Sequence, residues 1–363
     1  MQKKARHTMA LLAALMLLAA CQYDGIVSNI REDMRGNDSL AISFGNGVID
    51  APVRTRSLTM LSEHTSTMGV WGWQTTKVGV VGCLFRDQEV TFNSEIGLWS
   101  YSPEKYWEEG SSYRFYAYAP HGNSVPNANV AIDEETGHIS ITGVTLSGSN
   151  TMSTNARAKL YGTFKNVDDI DWMIDRTGRL VPKEQIRNKV IFNMQHILAK
   201  FNVKVNTSSS ISATSTYVVL DSISIGRFLS KADFSQILDH SPIMGNADDE
   251  AAQEWQIDSS NPLYTLQGTR YATVDKDGCY VIESLLIPQN VNESQMVKIS
   301  YTLHFEDART EHYTYNFNLN QAFNSFNCSY NYTLYITIGP DVITFDAGSD
   351  IWENEWESNQ WIK

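Results

Sequence analysis

Ser102 and Lys105 have the residue types and the spacing that serve nucleophilic catalysis. In some serine acyltransferases a Ser-x-x-Lys sequence places a lysine amine beside the serine hydroxyl that it activates. Here a proline stands between the two residues and tyrosines flank the motif, which favours a loop. A match with two free positions also arises readily by chance. We therefore interpret this segment as a loop and predict no enzymatic activity for it.

Candidate metal ligands are few. Asp168, Asp169 and Asp171 could offer carboxylate oxygens to Ca²⁺, but the remaining ligands and the loop glycine of an EF-hand are missing. The eight histidines are scattered, and none has the spacing of a zinc motif. We interpret the aspartates as a solvated acidic turn and His196 as a hydrogen-bonded histidine at a domain edge. The sequence thus predicts neither a metal nor a cofactor.

Cys21 is the residue with the most specific chemistry. Three cations among the first six residues precede an unbroken apolar run over residues 9–20, an order typical of an export signal. This run is shorter than the roughly 20 residues needed to span a bilayer. A small pair directly before a cysteine resembles the bacterial lipoprotein box, which implies acylation of Cys21 and durable membrane anchoring. The alternative is an ordinary signal cleaved after Ala20, with Cys21 incidental.

Composition excludes some partners. The formal charge is −13, and removal of the three cations of the signal brings it to about −16. Nucleic acid is therefore not an expected partner, because its binding depends on clustered Lys and Arg.

Besides Cys21 the chain has Cys83, Cys279 and Cys328. At most one disulfide can form among them, and Cys279 with Cys328 is the possible pair. We expect all three to be buried.

Alternation of apolar and polar residues dominates the sequence. It is clear in "VKISYTLHF" from Val297, in "YTYNFNL" from Tyr313 and in "YTLYITI" from Tyr332, and it predicts half-buried strands. The short "EDARTE" predicts a hairpin turn between the first two. Similar strands are predicted for "LAISF", "KVGVVGCLF", "SYRFYAYAP", "FNVKV", "STYVVLDSISI" and "CYVIESLLI". By contrast, "RFLSKADFSQIL" (residues 227–238) is interpreted as a short helix.

These strands predict an all-β fold of two β-sandwich domains, since the chain is longer than one core usually organises. We place a signal peptide at residues 1–20 and a lipid-anchored linker at 21–37. The N-terminal domain spans 38–181 and the C-terminal domain 182–363, with the boundary at the polar stretch "DRTGRLVPKEQIRN".

The tryptophans raise a second kind of function, because flat indoles can stack on sugars. Trp99 and Trp107 lie among apolar neighbours, which favours the core. Trp352, Trp356 and Trp361 stand in an acidic tail, where they either pack back onto their own domain or mark a partner contact.

Several stretches, taken in order, resemble the fimbrillin family of Bacteroidota, whose members are subunits of type V pili. They are the cysteine box, "LAISF" leading into "APVRTRSL", "WSYSPEKYWEEGSSYRFYAYAP", "DDIDWMI", "VIFNMQHILAKFNVKV" and "YNYTLYITIGPDVITF". Each is a degenerate aromatic pattern, so the ordered set carries the resemblance over most of residues 38–346.

The resemblance implies two transthyretin-like β-sandwich domains with Greek-key-like antiparallel sheets. It also implies a lipid-anchored precursor at the outer membrane, cleaved after Arg56, with Arg54 as the second site. Cleavage would release the first strand, and the exposed groove would accept a strand from another pilus subunit. The alternative at these arginines is a protein that stays uncleaved on its lipid.

The implied function is a tip or accessory pilus subunit that acts in adhesion to a host or bacterial surface ligand. A surface glycan-binding lipoprotein is the alternative, and the exposure of the indoles separates the two. A β-sandwich hydrolase is a third reading, but the spacing of the carboxylates does not support one.

Overall fold

A computed structural model gives the architecture. It describes residues 41–45, 48–49, 59–63, 65–108, 111–121, 129–132, 138–146, 161–163, 172–174, 180–182, 190, 192–212, 217–237, 253–258, 260–268, 270–340 and 342–351.

The fold is almost entirely β, which confirms the predicted class. Alternating β-branched and aromatic residues pack well on a pleated surface and account for this. The first half of the chain contributes β1 (Val48–Ile49), β2 (Thr59–Met60), β3 (Thr67–Thr75), β4 (Val81–Asn93), β5 (Leu98–Ser100), β6 (Ser112–Ala119), β7 (Asn129–Ile132), β8 (His138–Thr145), β9 (Tyr161–Thr163), β10 (Trp172–Ile174), β11 (Leu180–Pro182) and β12 (Asn193–His196).

The second half contributes β13 (Ala199–Thr207), β14 (Tyr217–Leu229), β15 (Lys231–Ile237), β16 (Gln253–Gln256), β17 (Leu263–Gln267), β18 (Ala272–Val274), β19 (Cys279–Leu286), β20 (Gln289–Asn290), β21 (Met296–His304), β22 (Thr310–Asn318), β23 (Ser325–Phe326), β24 (Tyr330–Ile338) and β25 (Ile343–Ile351). Short helices lie at Leu61–Glu63, Ser209–Ser212 and Leu319–Gln321. Among the described residues no helix is long and apolar enough to cross a membrane.

An eight-stranded sheet organises the first half, in the order β2-β1-β12-β9-β6-β3-β4-β5. Its ladders are antiparallel except for β1 beside β12. Strand β3 lies near the centre and is buried on both faces, which explains its run of apolar residues. Val70 and Phe115 point into one core, whereas Trp71, Trp73 and Tyr116 point into a second core on the opposite face.

Two sheets packed face to face form the C-terminal sandwich. One has the order β19-β13-β24-β25, and the other has β17-β14-β21-β22 with β18 also on β14. A third core fills the space between them, with Phe201 and Leu334 from the first sheet meeting Ile223 and Ile299 from the second. Alternation along each strand produces this arrangement, because every second side chain faces the partner sheet.

A further sheet joins strands from distant parts of the chain, in the order β16-β15-β8-β7. Strand β15 pairs with β8, and Phe234 lies opposite Ile141. Both side chains pack with Trp71 and Trp73 in the second core.

Two sequence predictions are corrected here. Of residues 227–238, interpreted as a helix, 227–229 form the end of β14 and 231–237 form the strand β15 instead. The alternation of Ala232, Phe234 and Gln236 toward the core, together with pairing to β8, outweighs local helix preference. The cysteines are not all buried, because Cys83 is exposed and Cys279 is half-buried. Cys83 lies among the exposed first residues of β4.

Candidate functional site: a slot filled by residues 41–45

The segment of residues 41–45, which we call the docked segment, lies as a strand between two other parts of the chain. Ala41 forms an antiparallel bridge with Tyr106, and Phe44 forms a parallel bridge with Val190. The Ile42 N–H donates to the Lys105 carbonyl (2.8 Å). On the other side the Gly45 N–H donates to the Val190 carbonyl (2.9 Å), and the Val190 N–H donates to the Ser43 carbonyl (2.8 Å). Both edges of the segment are therefore hydrogen-bonded.

Side chains of the docked segment alternate, as its sequence predicts. Ile42 and Phe44 are each 1% exposed, whereas Ala41 and Ser43 are half-buried. The Phe44 ring contacts four aromatic rings, with centroid distances from 5.5 to 6.1 Å: those of Phe85, Tyr101, Phe115 and Phe192. Burial of two side chains of this size contributes about 1.5–3 kcal/mol each. The slot is thus an apolar cleft that the segment fills.

Tyr101 fastens the segment to the wall of the slot. Its hydroxyl donates to the Ile42 carbonyl (2.7 Å) and accepts a bond from the Lys105 N–H (3.2 Å). Burial, the largest effect, raises the pKa of Tyr101 to about 12. The hydroxyl therefore stays protonated and able to donate at every physiological pH.

The wall containing Tyr101 belongs to the stretch "WSYSPEKYW" (residues 99–107), which begins in β5 and continues toward β6. Trp99 and Trp107, each 6% exposed, anchor its two ends in the core, as predicted. The Trp107 ring packs edge-on against Tyr113 at a centroid distance of 4.7 Å. Two buried indoles hold the stretch in place, so that its backbone presents the Lys105 carbonyl to Ile42.

The chain continues from the docked segment into β1, which pairs antiparallel with β2, Val48 opposite Met60. Arg54 and Arg56 stand in the sequence between these two strands and lie outside the described residues. Cleavage of the β1–β2 connection would leave the docked segment attached to the protein only by noncovalent contacts. Cys21 and the aspartates at 168, 169 and 171 also lie outside the described residues, as do the tail tryptophans.

The residues considered for catalysis or metal binding, Ser102, Lys105 and His196, do not form a catalytic or metal site. Ser102 is exposed in the loop, and its carbonyl accepts a bond from Gln88 Nε2 (3.4 Å). Lys105 takes part in the slot through its backbone, not through its amine. His196 is 3% exposed, and its carbonyl accepts a bond from Ser329 Oγ (2.7 Å). Within the described part of the chain no cluster of His, Cys, Asp and Glu could hold a metal ion.

Four indoles, those of Trp71, Trp73, Trp99 and Trp107, form no sugar-stacking platform. Trp71 and Trp73 lie nearly parallel, with centroids 6.2 Å apart, but they are only 8% and 5% exposed. With Trp99 and Trp107 also buried, these four side chains fill cores and do not present open faces.

The sequence does not predict that Tyr101, Phe85 and Phe192 line the slot. A phenylalanine or tyrosine in an alternating strand predicts only that its side chain is buried in a core. Its proximity to a segment more than 40 positions away has no local signal.

The fold and the slot together define an all-β sandwich protein that buries residues 41–45 of its own chain between two other parts of the chain. The sequence model of the fimbrillin-like family matches residues 55–351, more than half of the chain. The chain therefore belongs to the fimbrillin-like family.

One solved structure supports this fold, and a second is reported for its similarity alone. A fimbrial protein from Bacteroides vulgatus is 16% identical and superposes with a TM-score of 0.59, covering 86% of this chain and 99% of the other. The tip fimbrial protein Mfa3 from Porphyromonas gingivalis, with C-terminal truncation, is 9% identical with a TM-score of 0.37, and covers 86% and 100%. No curated protein matches the sequence.

Proposed function

We propose that this protein is a non-enzymatic subunit of a surface pilus, and that the docked segment keeps its assembly slot closed until a protease removes it. The observation that carries the proposal is the burial of Ile42 and Phe44 in a slot whose two walls also bond the backbone of the segment. A strand with the same alternation, supplied by another subunit, would restore these contacts.

Membership of a family of fimbrial proteins supports this function, and the position of Arg54 and Arg56 between β1 and β2 supports the processing step. Cleavage after Arg56 would free residues up to that point, including the docked segment and β1. The slot would then expose unpaired backbone groups and the rings of Phe85, Tyr101, Phe115 and Phe192, an arrangement that favours strand addition.

The anchoring part of the proposal rests on the sequence around Cys21. We propose that the precursor is held at the outer membrane by acyl chains on Cys21 and that the processed subunit joins a tip or accessory position of the fibre. Adhesion to a surface ligand is part of this proposal. The buried indoles give the glycan-binding alternative no support.

The experiment that tests the processing step replaces both arginines, Arg54→Ala and Arg56→Ala, in the native host. The mature N-terminus is then read by mass spectrometry. We expect the parent protein to begin at Ser57 and to enter assemblies that resist detergent. We expect the double variant to retain the docked segment and to form none of these detergent-resistant assemblies. Arg35→Ala, upstream of the docked segment, is the matched control and should leave both results unchanged.

A parent protein that carries an acylated Cys21 on every molecule would contradict the processing step. It would leave an anchored subunit that keeps its slot closed.

A further inference from the structure

Among the strands that the structure describes, β22 forms a long unpaired edge of the C-terminal sandwich. It spans nine residues and pairs with β21 in an unbroken register, from Thr310 opposite His304 to Asn318 opposite Met296. It ends its sheet in the order β17-β14-β21-β22, and no other described strand pairs with it. The outer edge of such a strand offers a row of backbone N–H and C=O groups for pairing.

Edges of this length normally carry features that prevent pairing, such as charges, proline or a bulge. The other long edges among the described strands have them. Strand β25 includes Asp346 and Asp350, and β19 includes Glu283 and has a register shift opposite Val203 and Lys204. The sequence of β22, "TEHYTYNFN", contains one acidic residue, no lysine, no proline and no bulge.

The two faces of β22 differ in chemistry. Thr310, His312, Thr314 and Asn316 are exposed on the outer face. On the inner face Tyr313 and Tyr315 are half-buried and stack on Tyr301, with centroid distances of 5.4 and 6.1 Å. The edge is therefore polar on one side and aromatic on the other, as an internal strand of a larger sheet would be.

We propose that β22 is a self-association edge, which pairs antiparallel with β22 of a second copy of this chain about a two-fold axis at Thr314. The sheet of each copy would continue into the sheet of the other. This proposal concerns a different edge from the slot, and it goes beyond the strand exchange proposed above.

The sequence of β22 is complementary to itself in this register. Thr314 would lie opposite Thr314 of the second copy, and Tyr313 would lie opposite Tyr315, which forms an aromatic pair on each side of the axis. His312 would lie opposite Asn316, a hydrogen-bonding pair. No like charges fall opposite each other, because the single carboxylate of the strand, that of Glu311, would face Phe317. Pairs of these types stabilise antiparallel sheets, whereas like charges in opposition destabilise them. A heterologous strand would find no such matched set in its partner, so the pattern favours a second copy.

The test measures the self-association of the full-length protein in mild detergent by sedimentation velocity, in a background of Arg54→Ala and Arg56→Ala, where strand exchange at the slot is blocked. We expect a monomer–dimer equilibrium. Thr314→Lys places two lysines directly opposite at the axis and should raise the dissociation constant about tenfold or more. The matched control is Thr344→Lys, which makes the same change at an exposed residue of the other nine-residue edge, β25, and should leave the constant unchanged.

A second measurement gives the register. Thr314→Cys should form a disulfide-linked dimer under mild oxidation, and Thr344→Cys should not. A parent chain that stays monomeric at all concentrations would overturn the proposal, as would a dimer equally weakened by both lysine substitutions. A monomeric parent is also the result expected if the edge takes a strand from a different protein. Loss of the dimer in the arginine-substituted background alone would assign association to the slot, and would overturn the proposal for β22 while leaving the proposed function in place.

Discussion

At the residue scale, the closed slot depends on Phe44 and Tyr101, which act in different ways. Phe44 fills space among four aromatic rings, and Tyr101 supplies a directed hydrogen bond to the Ile42 carbonyl. Dispersion and burial make the contacts of Phe44 stabilising, whereas the hydrogen bond from Tyr101 fixes the orientation of the docked segment. Together these two side chains explain how the docked segment is held in the slot, although the nearby β1–β2 connection is the proposed site of cleavage.

Phe44→Ala should lower the free energy of unfolding of the precursor by about 3–5 kcal/mol, the range for deleting a buried phenylalanine ring. Denaturant unfolding measures this effect. Tyr271→Ala is the control, because its side chain is 75% exposed and should matter little. A stability equal to that of the parent would mean that Phe44 is not buried in the slot. After processing the substitution should have no effect, since the segment is gone.

The hydroxyl of Tyr101 predicts a pH dependence at the alkaline end. Its pKa is about 12 in the folded protein and about 10 in an unfolded chain. Below pH 10 both states are protonated, and the hydroxyl favours the fold. Between pH 10 and 12 only the unfolded state loses its proton, so stability falls as pH rises.

Tyr101→Phe removes one such proton and should make the decline of stability between pH 10 and 12 less steep. At neutral pH it should destabilise the precursor by about 1 kcal/mol, through the lost hydrogen bond. Unfolding curves recorded across this pH range test both effects. An unchanged alkaline slope would show that Tyr101 does not titrate as described.

At the scale of elements, β3 explains how the slot and the second core are held together. This strand is buried on both faces and pairs with β4 on one side and β6 on the other. Gly72 lies where β3 passes between two phenylalanine rings. A Cβ at this position would come within 2.8 Å of Phe115 and 2.9 Å of Phe85, two rings of the slot.

Gly72→Ala should therefore destabilise the protein by about 1–3 kcal/mol, the usual effect of overpacking a core. Gly82→Ala is the matched control on the adjoining strand, because a Cβ there meets no atom within 4 Å. Thermal or denaturant unfolding compares the two. Equal stability of both variants would mean that the slot rings move aside without loss.

At the scale of the whole molecule, the sheet β16-β15-β8-β7 couples the two halves of the chain. Phe234 of β15 lies opposite Ile141 of β8, and both side chains pack into the core that contains Trp71 and Trp73. The proposed division near residue 182 thus crosses a shared sheet. We expect the two halves to stabilise each other and not to unfold independently.

Phe234→Ala should reduce hydrogen-exchange protection in β8 as well as in β15, although the two strands are far apart in sequence. Phe234 is 1% exposed and packs on Trp255 at a centroid distance of 5.1 Å, so its loss leaves a cavity in the shared core. Leu263→Ala, at a 42% exposed residue, is the control. Loss of protection confined to β15 and β16 would contradict the coupling.

Several parts of the fold could be predicted from local sequence. The alternation in "VKISYTLHF" and "YTYNFNL" and the short "EDARTE" between them predict the hairpin of β21 and β22 correctly. Alternation with a period of two residues indicates which side chains of a strand lie on the same face. A short turn then requires the two consecutive strands to pair antiparallel. Local sequence does not predict the structure of residues 231–237, because their partner strand β8 lies some 90 residues away and no local pattern indicates that pairing.

The sequence by itself determined the all-β class, the family, the strands with strict alternation and the burial of Trp99 and Trp107, because each depends on residue type and spacing within a few positions. Only the tertiary structure decided that residues 41–45 lie between Lys105 and Val190, that Tyr101 bonds Ile42, and that β15 joins β8. The physical reason is that a strand carries the same unpaired N–H and C=O groups whatever its partner will be. Its partner is selected by the shapes of side chains that meet only when the chain has folded.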